Sequence, residues 1–167
     1  VSDVHLSTLS QRKLDKLVEE VSNKDYDIFV IDGDLIDEFC KDSKTQEVIA
    51  KLGKIKTKYG LYYVEGNHDL LNNKRRSYLI SSGFQILEDE STLIDNNFYL
   101  LGRRDLKDKN RSDLNSLTYN LDKPIVLLDH QPNVIKNMDK RIIVQLSGHT
   151  HAGQIWPLGY FLKYGYY

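Results

Sequence analysis

Residues 27–37 read DIFVIDGDLID and residues 61–69 read LYYVEGNHD. Both stretches open on a short apolar run, which suits a strand buried on both faces. Both then pass through a glycine, at Gly33 and Gly66, into carboxylate, carboxamide and imidazole side chains. Glycine lets the backbone turn sharply and approach a ligand closely. A buried strand that ends in ligand-type residues is the mark of an open α/β sheet, whose sites form at the carboxyl ends of its strands.

The flanking sequence fits that frame. Residues 8–22 place Leu9, Leu14, Leu17, Val18 and Val21 at near-helical spacing, and residues 43–58 turn Val48, Ile49, Leu52 and Ile55 to one face. Residues 75–82 predict a short helix capped at Gly83. Phe84–Leu87, Thr92–Ile94 and Phe98–Leu101 read as strands, the last two joined by a turn at Asp95-Asn96-Asn97. Residues 103–120 are polar and read as a loop. Ile125–Leu128 and Ile142–Leu146 are further strands, with a short helix at Val134–Met138 between them. Helix and strand alternate on both sides of a strand-rich middle, so the fold class is α/β with mixed sheets, in a single domain.

Composition sets the outer bounds. The chain has 167 residues and a formal net charge of -1, from 23 Lys plus Arg against 24 Asp plus Glu. Such a chain has no global attraction for nucleic acid, and none is expected as a partner. Its 40% hydrophobic and 28% charged residues fit a folded globular domain rather than a disordered one. The single cysteine, Cys40, rules out an internal disulfide and a Cys-based zinc cluster, and is expected to be a small buried residue. No apolar run reaches transmembrane length. The chain opens at Val1 and closes at Tyr167 in an aromatic run, and is read as a fragment of a longer protein.

Every histidine lies at or just past a strand end, or where one would end. His5 follows the start of the chain, His68 follows LYYVE, His130 follows IVLL, and His149 and His151 follow IIVQL. Asp34 takes the same position after DIFVI. Imidazole and carboxylate without thiolate suit Zn, Fe or Mn and disfavour a structural zinc knot. The set could hold two divalent ions with one bridging carboxylate.

The ordered strings Asp3-Val4-His5, Gly33-Asp34-Leu35-Ile36-Asp37, Gly66-Asn67-His68-Asp69, Asp129-His130 and Gly148-His149-Thr150-His151 resemble those of the calcineurin-like metallophosphoesterase superfamily. The resemblance runs from Ser2 to Gln154. The strings Gly148–Gln154 and Asp129-His130-Gln131-Pro132 resemble its bacterial membrane-associated, YkuE-like branch. It implies a sandwich of two mixed β-sheets flanked by helices, with a strand before Asp3 and further strands after Gln154. It implies two divalent metal ions, Mn, Zn or Fe. Asp3, His5, Asp34 and His151 would hold the first, and Asp34, Asn67, His130 and His149 the second. A hydroxide bridging the metals would attack phosphorus, with His68 as general acid and Asp69 orienting its ring.

Other residues carry weaker signals. Asp37 reads as support or a helix cap rather than a ligand, and Asp129 is left outside the site. Arg103 and Arg104 follow a strand end and are candidate phosphate contacts. Lys74-Arg75-Arg76 at a helix start is either an anion contact or a solvated face. The tail Ile155–Tyr167 either packs under further strands or forms a lipid-contacting rim. The implied substrate is a phosphorylated small molecule, or a lipid or cell-envelope ester, met by a membrane-associated enzyme whose missing termini would supply the anchor. The alternatives are a nuclease or cyclic-nucleotide phosphodiesterase on the same fold, and a non-catalytic docking module.

Overall fold

The computed structural model describes residues 1–7, 10–132 and 138–151. Leu9, residues 134–137 of the expected short helix, Ala152–Gln154 and the tail Ile155–Tyr167 lie outside the described residues. The elements in chain order are α1 (Gln11–Ser22), β1 (Phe29–Asp32), α2 (Asp42–Leu52), β2 (Leu61–Val64), α3 (Asn73–Ser81), β3 (Phe84–Ile86), β4 (Glu90–Ile94), β5 (Phe98–Gly102), α4 (Leu114–Thr118), β6 (Ile125–Leu128) and β7 (Ile142–Leu146).

The strands form two sheets. The first runs β1-β2-β3 and is parallel at both described pairings. Its connections are α2 and α3, as parallel neighbours require a crossover. The second runs β4-β5-β6-β7 and is mixed, with β4 and β5 antiparallel and the rest parallel.

Side-chain alternation assigns each face its neighbour. Phe29, Ile31, Leu61 and Tyr63 point from β1 and β2 into a cluster with Leu14, Val48, Ile49, Leu52 and Leu79 of the first three helices. Val30, Tyr62 and Val64 point the other way, onto Leu100, Val126 and Leu128 of the second sheet. Leu101, Ile125 and Leu127 face outward onto Leu114 and Leu117 of α4. The layers are therefore helix, sheet, sheet, helix, as the resemblance implied. The expected loop 103–120 contains α4, whose N-cap Asp113 accepts from Asn115 N–H. The second helix stops at Leu52, six residues before its predicted end, with Gly53 as its cap.

One buried cation organises the first sheet's carboxyl edge. Arg75 sits in the first turn of α3, buried rather than solvated, so both readings of the Lys74-Arg75-Arg76 string fail at this residue. Its guanidinium donates to the carbonyls of Cys40 (2.8 Å), Asp37 (3.3 Å), Leu70 (3.3 Å) and Glu38 (3.4 Å), and to Asp42 Oδ1 (3.4 Å). The partners come from the loop after β1 and the loop after β2. An isolated antiparallel bridge between Asp37 and Asp69 ties the same loops.

Removing the guanidinium leaves buried acceptors unpaired. Arg75→Met should lower unfolding free energy by about 2–4 kcal/mol in urea denaturation, while an equal change at exposed Lys74 should cost under about 0.5 kcal/mol.

Candidate metal centre

The strand ends deliver ligand-type side chains to one edge, and the backbone there is forced. Asp3, His5, Asp34, His149 and His151 all have positive φ, between 49° and 69°. Residues other than glycine rarely adopt this conformation, and it costs about 1 kcal/mol or more each. Two glycines make the approach possible. A Cβ on Gly33 (φ +79°) would lie 2.3 Å from His130 Nδ1, and one on Gly66 would lie 2.3 Å from Asp34 Oδ1.

Two groups result. Asp3, His5 and His151 each offer a ligand atom within 4.8 Å of the others, and so do Asp34, His130 and His149. In the first, His5 Nε2 and His151 Nε2 are 3.3 Å apart, and His151 Nε2 is 3.7 Å from Asp3 Oδ1. Asp34 Oδ2 reaches across to His5 Nε2 at 3.8 Å. In the second, His130 Nε2 is 3.1 Å from Asp34 Oδ2, and His149 Nδ1 is 2.7 Å from Asn67 Oδ1. The structure thus gathers all seven residues expected to hold metal around two centres, with Asp34 near both.

The second centre has the clearer chemistry. His130 Nδ1 donates to the Asp32 carbonyl at 2.8 Å, which leaves a lone pair on Nε2 of the neutral ring. That lone pair faces the carboxylate Oδ2 of Asp34. Both atoms are buried and neither has a hydrogen-bond partner among the described residues. Two lone pairs at this distance repel unless a cation lies between them. Without a metal that cation is a proton. Burial alone would lower the His130 pKa, but the Asp34 carboxylate and the Asp32 carbonyl raise it to about 9. Burial works against ionising Asp34 too, yet His130 and the His68 amide hold it below the ordinary carboxylate range. The donor set fits a divalent metal.

The supports are mostly carboxylates. His5 Nδ1 meets Asp37 Oδ1 at 2.6 Å, and Asp37 Oδ2 accepts from Ser7 N–H and Oγ–H. A carboxylate behind an imidazole fixes its tautomer and raises its basicity. Asp69 corrects an expectation. Its carboxylate does not orient the His68 ring: Oδ2 accepts from Asp34 N–H and Gly66 N–H at 2.8 Å each, and Oδ1 from Ile36 N–H at 2.6 Å. It sews the two metal-bearing loops together. Burial raises its pKa to about 6 despite those amides. His68 itself is exposed, its ring edge-on to His5 at 5.3 Å between centroids, with its N–H on Asp34 Oδ1 at 2.8 Å.

The arginines lie outside this arrangement. Arg103 is buried and donates to the Ser112 carbonyl at 2.8 Å, with Asp129 Oδ2 at 3.6 Å. Arg104 pairs with Asp108 at 3.1 Å. Asp129 is a structural anchor that the sequence did not reveal. Arg111 meets its two oxygens at 2.6 Å and 3.2 Å. The Asp129-His130 pairing was a signal, but its partner lies 18 residues away in a polar stretch that reads as solvated. Cys40 is buried, as expected.

A family model described as Calcineurin-like phosphoesterase matches residues 1–153. An "Uncharacterized metallophosphoesterase" of Helicobacter pylori is 33% identical over 174 residues, covering 98% of this chain and 46% of that protein. A "Transmembrane protein with metallophosphoesterase domain" of Bos taurus is 32% identical, covering 95% of this chain and 40% of that protein. "Uncharacterized metallophosphoesterase YkoQ" of Bacillus subtilis is 31% identical, covering 97% and 63%. The chain spans less than half the length of the first two relatives. Among the described residues, no helix is long and apolar enough to cross a membrane.

Two measurements follow. Asp37→Asn should weaken metal binding about 10- to 100-fold in a chelator competition titration, because it removes the carboxylate behind His5. The pH dependence has a fixed sign. Burial raises Glu65 from 4.5 to about 7, and His130 rises from 6.5 to about 9. Both folded values exceed the unfolded ones, so the folded chain binds more protons between about pH 5 and 9. The metal-free chain should lose stability as pH rises through that window. With saturating Mn²⁺ the part above pH 7 should vanish, because metal displaces the His130 proton. Urea midpoints at pH 5, 7 and 9, with EDTA and with Mn²⁺, test this.

Proposed function

The chain belongs to the calcineurin-like phosphoesterase family, and we propose that it hydrolyses phosphate esters with two divalent metal ions. Asp3, His5, Asp34 and His151 would hold one, and Asp34, Asn67, His130 and His149 the other. The observation that carries this reading is the buried contact of His130 Nε2 with Asp34 Oδ2 at 3.1 Å, neither atom having a further hydrogen-bond partner among the described residues, within a group of metal-ligand type that a divalent ion fits. Imidazoles with carboxylates and no thiolate suit Mn, Zn or Fe. Bound ions supply Lewis-acid charge for phosphoryl oxygens and lower the pKa of water towards neutrality.

The chain's own residues prepare that chemistry. The Asp32 carbonyl and Asp37 carboxylate set the tautomers of His130 and His5. Asp69 holds the backbone of Asp34 and Gly66 in place. His68 has an exposed imidazole beside His5 and is not a ligand in this reading, so it serves as general acid to the leaving oxygen. The substrate is a phosphorylated small molecule or a lipid or cell-envelope ester. The bovine relative's name, which joins this domain to a transmembrane protein, supports work at a membrane. Nucleic acid is disfavoured by the net charge of -1.

The test is Mn²⁺-dependent hydrolysis of p-nitrophenyl phosphate and bis-p-nitrophenyl phosphate, with bound metal counted in parallel. Asp34→Asn should lose both metals and turnover. His68→Ala should keep both metals and lose about 10²- to 10⁴-fold in kcat. Turnover that survives exhaustive chelation would sink the metal reading. Wild-type turnover in His68→Ala would sink the acid role alone.

A further inference from the structure

Two loops that serve the metal centre each carry an exposed apolar side chain. Asp37 and Cys40 close a β-turn, with Cys40 N–H donating to the Asp37 carbonyl at 3.0 Å. Phe39 sits at the tip of that turn and is 85% exposed. Turn tips favour Gly, Asn, Asp and Ser, so a phenyl group there has no conformational reason. Leu70, in the loop after β2, is 51% exposed. The two loops meet at the Asp37–Asp69 bridge, so both side chains start within two residues of it. Asp37 touches His5, Asp69 adjoins His68, and the His5 and His68 rings are 5.3 Å apart. Phe39 is thus two residues from the carboxylate that touches His5, and Leu70 two residues from His68.

The loops are also fixed in this exposed state. The Arg75 guanidinium holds the carbonyls of Asp37, Glu38 and Cys40 on one loop and of Leu70 on the other. The backbone of this turn is therefore held, and the ring it carries is exposed. The other tip residue, Glu38, is exposed and negative, so the turn offers an anion nothing. What it offers is apolar surface.

We propose that Phe39 and Leu70 form an apolar ledge for the hydrocarbon part of an amphiphilic phosphate ester whose phosphoryl group sits at the metal centre. The inference rests on the hydrolase reading above and names its substrate class: an ester with an alkyl or acyl-bearing leaving group, bound as a single molecule.

The experiment is calorimetric titration of the Mn²⁺-loaded chain with inorganic phosphate, ethyl phosphate and octyl phosphate, the last below its critical micelle concentration. Hydrolysis of both esters is followed separately. Octyl phosphate should bind at least about tenfold more tightly than ethyl phosphate, since full burial of two of its six extra methylenes suffices. In Phe39→Ser/Leu70→Ser that advantage should fall below threefold, while inorganic phosphate still binds. Both residues are exposed, so the substitutions leave the core untouched. Equal affinities in the parent, an undiminished octyl advantage in the double variant, or failure of every phosphate to bind would each overturn the proposal. Adsorption to phosphatidylglycerol vesicles without an octyl advantage would overturn it in favour of a bilayer-docking face. An octyl advantage that depends on both residues, with neither ester hydrolysed, would uphold the ledge and remove the hydrolase reading.

Discussion

Two lone pairs set against each other organise this molecule. His130 presents Nε2 and Asp34 presents Oδ2 across 3.1 Å of buried space, and only a cation makes that contact favourable. Asp34 follows β1 of the first sheet and His130 follows β6 of the second. A cation held there would tie the two sheets together at their carboxyl edges, beside the apolar layer of Tyr62, Val64, Leu100 and Leu128. The other group works the same way, since Asp3 and His5 lie against the loop after β1 while His151 follows β7. Cation binding and sheet packing are one equilibrium here, so any ion that fills these groups stabilises the fold by mass action.

The price of this arrangement is visible in the backbone. Five ligand-type residues share positive φ, at roughly 1 kcal/mol or more each, a sum comparable to the lower range of a domain's whole stability. That strain persists because the surroundings overdetermine it. Asp69 takes three amides of the two loops, Arg75 takes four carbonyls of the same loops, and Asp3 accepts the His149 N–H at 2.9 Å. The supporting shell is thus built of charges opposed to backbone dipoles. Such contacts are roughly twice as strong as neutral ones, which suits loops with few apolar side chains to bury.

Much of this was legible in the sequence. The strands Ile125–Leu128 and Ile142–Leu146 are found where the apolar runs predict them, the first buried and the second largely exposed. Most ligand-type residues were legible because they follow a strand and the parallel sheets bring strand ends together, while Asp3 and His5 precede the first strand. The helix ends were less so: apolar spacing continues through Ile55, but Gly53 stops α2 first. The tasks of Asp69, Arg75 and Arg111 were hidden. A buried guanidinium and an exposed one look alike in a polar string, and what separates them is the set of carbonyls that tertiary structure brings near. Asp69 shows the same limit, since adjacency to His68 suggested a partner that the fold did not choose.

The stretch between β5 and β6 draws the consequence. Its charges, which the sequence presents as candidates for phosphate, are answered within the chain. Arg111 and Arg103 surround Asp129, Arg104 pairs with Asp108, and Asp89 accepts from the N–H groups of Arg104 and Ser112. Arg111 thereby fixes the residue before His130, and the backbone there is locked again by Asp129 N–H on the Leu146 carbonyl and Gly148 N–H on the His130 carbonyl. Arg103 and Arg111 thus hold a ligand-bearing strand end, while Arg104 is paired with nearby carboxylates. In the proposed function, phosphate recognition is left to the metal ions and His68, which would read only the phosphoryl group. In the ledge proposal, discrimination among esters comes from Phe39 and Leu70, which the neighbouring loops leave exposed beside the negative Glu38.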